Sequence, residues 1–258
     1  MFEWLKRFRK VARQLSVAAR AEEKTARNTK AINLKPYTPE PKAFLGQLAY
    51  IQLANFEILT AALKYSPNTS YKAELGEAAA RSFDKYRQLS KKLVELGADP
   101  AEQMNPFRER IAMFHSNTTG LDWYEVVIKV YLTSGLLDDF YYRLAAGLND
   151  ELQQEVEKAL RDKAFEKFAK RVLTEAIESD QVLASRLALW GRRLMGDVLL
   201  ELRAAFDNRK LANVPKTKKL TVAEENQVNL AAYSKLEPLI SELTGSHSSR
   251  MEALGLAA

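Results

Sequence analysis

The sequence predicts an all-α protein built on a four-helix bundle, with additional C-terminal helices and an amphipathic helix at the N-terminus. Three observations predict it. Glycine and proline are scarce, 10 and 8 in 258 residues, which suits long helices and disfavours a β-rich fold. Apolar residues, 47% of the chain, recur at helical rather than alternating spacing. The punctuation between apolar stretches runs short turn, long connection, short turn, which is the order of an antiparallel bundle with one crossover.

Each element has its own signal. In residues 2–20, Trp4, Phe8, Val11 and Leu15 fall on one face, widened by Leu5 and Ala12, while Lys6, Arg7, Arg9, Lys10 and Arg13 cover most of the rest. The segment KPYTPEPK (35–42) follows with three prolines; proline removes a donor and restricts the residue before it, so this is an extended linker. Helix A is expected over 42–65, closed by SPNTS (66–70), and helix B over 71–96, stopped at Gly97. The connection 98–120 holds Pro100, Pro106 and Gly120, with one short helix at 106–115. Helix C, 121–147, is the most apolar and is buried on more than one side. Asn149–Asp150 leads into helix D, 150–178, and helix E follows at 181–207. After a linker at 208–219, Thr221 and Glu224 form a T-x-x-E capping box for a last helix, 222–243, with a further turn or short helix in the tail. The organisation is therefore a basic arm (1–35), a proline-rich linker (36–42), a bundle with a fifth helix (43–207), and a linker with a C-terminal helix packing on the bundle (208–258).

Composition removes several function classes. The chain has no cysteine, so disulfides and thiolate metal sites are out. No apolar run reaches the ~18–20 residues that cross a bilayer, and the charged N-terminus is unlike a secretory signal; the expected location is the cytoplasm, with a peripheral position at the inner face of the membrane as a variant. There is no glycine-rich phosphate loop and no Ser-His-Asp set. The net charge is +6, but residues 1–35 hold ten Lys/Arg and three Glu, a net of +7, which leaves −1 for the rest. A basic arm on a near-neutral body suggests an anionic partner: a membrane surface, an acidic protein face or RNA. Trp4, Leu5, Lys6, Arg7, Phe8, Arg9, Lys10 and Arg13 are its candidate contacts; five cations near an anionic membrane contribute roughly 1 kcal/mol each, enough for reversible binding.

Four stretches, FHSNTTGLDWYEVVIKVY (114–131), GLLDDFY (135–141), RLALWGRRLMGD (186–197) and LTGSHSSRMEALGL (243–256), resemble a family of actinobacterial ferritin-like proteins similar to the tRNA hydroxylase MiaE, which modifies a prenylated adenosine in tRNA. The resemblance runs over roughly 42–258 and implies a ferritin-like bundle. In metal-binding members, helix A supplies a carboxylate, helix B a Glu-x-x-His, helix C an acid, and helix D an acid or amide followed three residues later by His. The resemblance places Gln52, Ser82, Lys85, Asp139, Asp162 and Phe165 at those positions, so four of the six lack a usual ligand. The residues say the same independently. Glu-x-x-His puts two ligands one turn apart on one face, and neither of the two histidines, His115 and His247, belongs to such a pair. The expectation is a degenerate metal site with no cofactor, in which Lys85 points inward and pairs with Asp139 and Asp162. The competing reading keeps the Lys85 ammonium in water.

Other residues weigh toward structure. Of Asp138 and Asp139, at most one faces the core, because adjacent helical residues point about 100° apart. Trp123, Tyr131, Phe140, Tyr141 and Tyr142 are expected in the core rather than on a base-stacking surface, and Arg192 and Arg193 in salt bridges to neighbouring helices. Three functions compete: a non-catalytic interaction or scaffold module using the arm, a di-iron tRNA hydroxylase or oxygenase, and a non-catalytic RNA-binding protein. A homodimer is compatible with each.

Overall fold

The computed structural model describes residues 33–204, 206, 208–215 and 217–257. The arm and its candidate contacts lie outside the described residues. Among these there is no strand. Ten α-helices are described: α1 (Pro41–Ala62), α2 (Thr69–Glu95), α3 (Pro100–Met104), α4 (Arg108–Asn117), α5 (Trp123–Ala145), α6 (Asp150–Leu160), α7 (Ala164–Ser179), α8 (Gln181–Ala204), α9 (Asn208–Leu211) and α10 (Val222–Glu252).

Local chemistry sets most boundaries. Glu40 accepts from the amides of Lys42 and Ala43 ahead of Pro41; Asn68, Asp99, Asp122 and Asn149 cap α2, α3, α5 and α6 in the same manner. Each satisfies an amide that the helix cannot. Gly97 takes the left-handed conformation (φ 69°) that ends α2. The Thr221–Glu224 capping box starts α10.

The proline-rich segment is not the extended linker expected, since Lys35–Tyr37 form a 3-10 helix and Pro41 already begins α1, and the expected linker at 208–219 opens with α9. Three further expectations need correction. Helix D is two helices, α6 and α7, broken at Arg161–Lys163. The carboxylate of Asp162 accepts from the amide of Ala164 at 3.0 Å, a local bond that competes with helix continuation. The crossover carries two short α-helices, α3 and α4, because Asp99–Pro100 is itself a helix start. The last helix does not stop at 243 but runs through Pro238 to Glu252. Leu236, Leu239 and Leu243 on either side of the proline are buried, and that packing holds the line of the helix.

The bundle comprises α1, α2, α5 and the α6–α7 pair, with α8 packed on α5 and α7, and α10 packed on α5, α8 and α9. Its core is two apolar clusters. One gathers Leu48, Ile51, Leu89, Leu93, Leu136, Phe140 and Leu160; the other gathers Leu59, Ala79, Ile128, Leu132, Phe168 and Val172. On each of the four helical segments the clusters are separated by one polar band: Gln52–Asn55, Ser82–Lys85, Ser134–Asp138 and Asp162–Glu166. No described helix is long and apolar enough to cross a membrane.

Candidate site at the centre of the bundle

The polar band encloses a cavity of about 50 Å³ lined by Gln52, Asn55, Ser82, Lys85, Asp138, Asp162, Lys163, Phe165 and Glu166, among others. Five of the six positions singled out from the sequence therefore meet around one space. Asp139 does not. Its carboxylate turns away to Arg250 of α10 at 2.8 Å and is 37% exposed. The acid that lines the cavity is its neighbour Asp138, whose side chain is 16% exposed. Rotation by one helical position separates the two.

Lys85 lies inside, but its partner is not the expected one. The ammonium donates to the main-chain carbonyl of Asp162 at 3.4 Å. That carbonyl is available because the helix is broken there. The Asp162 side chain caps the amide of Ala164 and lies 3.8 Å from Arg81. A second ammonium, missed in the sequence, comes from the break: Lys163 reaches Asp138 at 3.7 Å and Glu166 at 3.5 Å. Ser82 donates back to the Ala78 carbonyl of its own helix at 3.3 Å, and Asn55 donates to Ser134 at 3.3 Å. Phe165 lines the cavity, with its ring centre 6.3 Å from that of Phe168.

Burial is the largest influence on Asp138 and pushes its carboxyl up to about 6; the charges of Lys85 and Lys163 pull the other way, and Asp139 adds to the rise. The band as a whole is charge-balanced: Arg81, Lys85 and Lys163 against Asp138, Asp162 and Glu166. Asp138 is the most buried of the acids, at 16% side-chain exposure, whereas Lys163, Glu166 and Arg81 are 42%, 42% and 54% exposed.

Ferritin-like di-iron bundles hold their metals with inward carboxylates and Glu-x-x-His pairs on facing helices. The residues here do not fit that group. The donor set offers an amide, a hydroxyl and a phenyl ring, with two ammoniums among three acids. Among the described residues, no three His, Asp or Glu side chains converge in a way that could hold a metal ion. His115 lies in α4 and His247 in α10, both outside the band; burial pushes each imidazole down to about 4.

Of the remaining candidates, Trp123, Tyr131, Phe140 and Tyr141 are core residues, whereas Tyr142 is 51% exposed. Arg192 and Arg193 donate to the main-chain carbonyls of Ala257 and Asn117, and Arg193 pairs with Asp197 of its own helix, so among the described residues neither forms the interhelical salt bridge expected.

No curated protein matches the chain. Residues 37–214 match the family described as "Ferritin-like domain, actinomycetes", a span that holds the whole polar band and stops short of α10. The chain belongs to that actinomycete ferritin-like family.

Proposed function

We propose that this protein is a ferritin-like module in which two lysine ammoniums set among carboxylates have replaced di-iron binding, and that it works by interaction rather than by oxygen chemistry. The observation that carries this reading is the placement of Lys85 and Lys163 among Asp138, Asp162 and Glu166 in the one polar band between the two cores. Metal binding there would have to displace two tethered cations and still lack imidazole ligands.

Residues 1–35, with their net charge of +7, are the interaction element of this reading. Their basic residues would engage an acidic protein face or the anionic headgroups of a membrane, where the protein would sit peripherally on the cytoplasmic side.

Metal analysis after expression in iron-supplemented medium tests the first half. The expected iron content is far below one per chain; about two per chain, in the stoichiometry of di-iron proteins, would refute it and restore the tRNA hydroxylase chemistry that the MiaE resemblance implies. Co-sedimentation with anionic vesicles tests the second, comparing the full chain with one carrying glutamine at Lys6, Arg7, Arg9, Lys10 and Arg13. Equal pelleting of the two proteins would remove the arm as the contact, and retention on tRNA alone would favour RNA as the partner.

A further inference from the structure

A second cavity lies away from the polar band, between the end of α1, the crossover and the start of α5. It is an open cleft of about 870 Å³, within the size range of small-molecule sites. Ile58, Ala61, Tyr65, Leu121, Tyr124 and Val126 contribute to apolar walls. Tyr65 and Leu121 are exposed at 66% and 86%.

Lys129 lines this cleft and is 4% exposed. Its ammonium donates to the main-chain carbonyl of His115 at 3.3 Å and lies 5.9 Å from the centre of the Phe114 ring. An ammonium has three donors, and among the described residues no carboxylate lies within 4.0 Å of this one. The single acid on the cleft wall, Asp122, is already engaged, accepting from the amide of Glu125 and pairing with Arg186. His115 and Trp123 also line the cleft, and Nδ1 of His115 and Nε1 of Trp123 are buried behind its surface without hydrogen-bond partners. Buried polar groups left unpaired are costly and call for explanation.

We propose that the cleft binds a small amphipathic monocarboxylate, with its carboxylate on Lys129 and its apolar part along Ile58, Tyr65, Leu121 and Tyr124. Lys129 spends one donor on the His115 carbonyl and meets no carboxylate, so its remaining donors call for a ligand that brings an anionic acceptor. One positive charge without a carboxylate partner is matched by one negative charge; a phosphate dianion would bring a second negative charge with no second Lys or Arg on the lining to meet it. Burial pushes Lys129 down to about 8, so at neutral pH the side chain is still mostly charged and suited to an ion pair. This inference does not depend on the reading of the polar band.

Isothermal titration calorimetry at pH 7 with dodecanoate and dodecanol, each below its aggregation concentration, tests it. The wild-type chain should bind dodecanoate saturably at one site and more tightly than the alcohol. Lys129→Met should weaken dodecanoate by at least about tenfold, as expected for loss of a charge-assisted contact, and leave dodecanol within about twofold. Ala61 is exposed on the cleft wall, so Ala61→Phe blocks the cleft without entering the core and should weaken both ligands. Absence of saturable binding to the wild type, equal dodecanoate affinity in wild type and Lys129→Met, or tighter binding of dodecyl phosphate than of dodecanoate would each overturn the proposal.

Discussion

Asp138→Asn converts the electrostatics of the polar band into a measurable pH dependence. The Asp138 carboxyl titrates near 3.8 when unfolded and is raised to about 6 in the folded protein. Between those values the folded state holds more protons than the unfolded state, so this group's contribution to stability is complete below 3.8 and is lost as pH rises through about 6. Integrating the two titrations gives a loss of about 2 kcal/mol between pH 4.5 and pH 7.5. Asparagine keeps the shape and does not titrate. The stability of Asp138→Asn relative to wild type should therefore increase by about 2 kcal/mol over the same interval. The comparison is of differences, so any fixed cost of leaving Lys85 and Lys163 with one fewer anion cancels, as do the titrations of distant groups. Urea unfolding followed by circular dichroism at the two pH values supplies both free energies. A difference that stays flat to within about 0.5 kcal/mol, the usual error of additivity, or that changes in the opposite direction, would show that Asp138 is not a desolvated acid.

Three further outcomes follow from the packing. His247 is 3% exposed, and its imidazole is depressed from 6.5 to about 4 by burial and then by Arg250; its contribution to stability is present above 6.5 and is lost as pH falls through about 4, so wild-type stability should drop on acidification. His247→Leu should remove about 2 kcal/mol of the fall between pH 7.5 and 5, read by urea midpoints at each pH. Gly46→Ala would set a Cβ 2.4 Å from the carbonyl oxygen of Gln103, a main-chain atom that cannot swing aside, and should destabilise by about 1–3 kcal/mol. Gly196→Ala meets nothing within 4 Å in α8 and should stabilise by about 0.5–1 kcal/mol, both glycine variants being read by urea unfolding.

The helices were legible in the sequence because their signals are local. Caps, apolar spacing and the Thr221–Glu224 box each act within one turn, and they located α1, α2, α5 and α8 to within a few residues. The features that were missed depend on longer-range competition. Asp162 reads as an ordinary helical residue unless its side-chain bond to Ala164 is known to win over helix continuation. Spacing could not assign Asp138 rather than Asp139 to the cavity, because the choice is a rotation of about 100° fixed by packing of α5 against α8 and α10. The pull of Arg250 on Asp139 from 111 positions away leaves no local trace. Lys129 stands alone in the apolar run VVIKVYL, where a long side chain with its head in water is the default reading. Only the assembled crossover shows that His115 closes over it.

The break between α6 and α7 ties these differences together. A continuous helix D would bury the Asp162 carbonyl in its own ladder and hold residue 163 on a rotation set by the helix. Ending α6 at Leu160 frees that carbonyl for Lys85 and swings Lys163 toward Asp138 and Glu166. One local bond, from the amide of Ala164 to the carboxylate of Asp162, therefore positions both ammoniums. Cations tethered in this way fold with the chain and stand against the acids of the band. On the reading proposed above, the bundle keeps the ferritin-like arrangement while its central charge has become part of the polypeptide. The helix break is what makes that exchange geometrically possible.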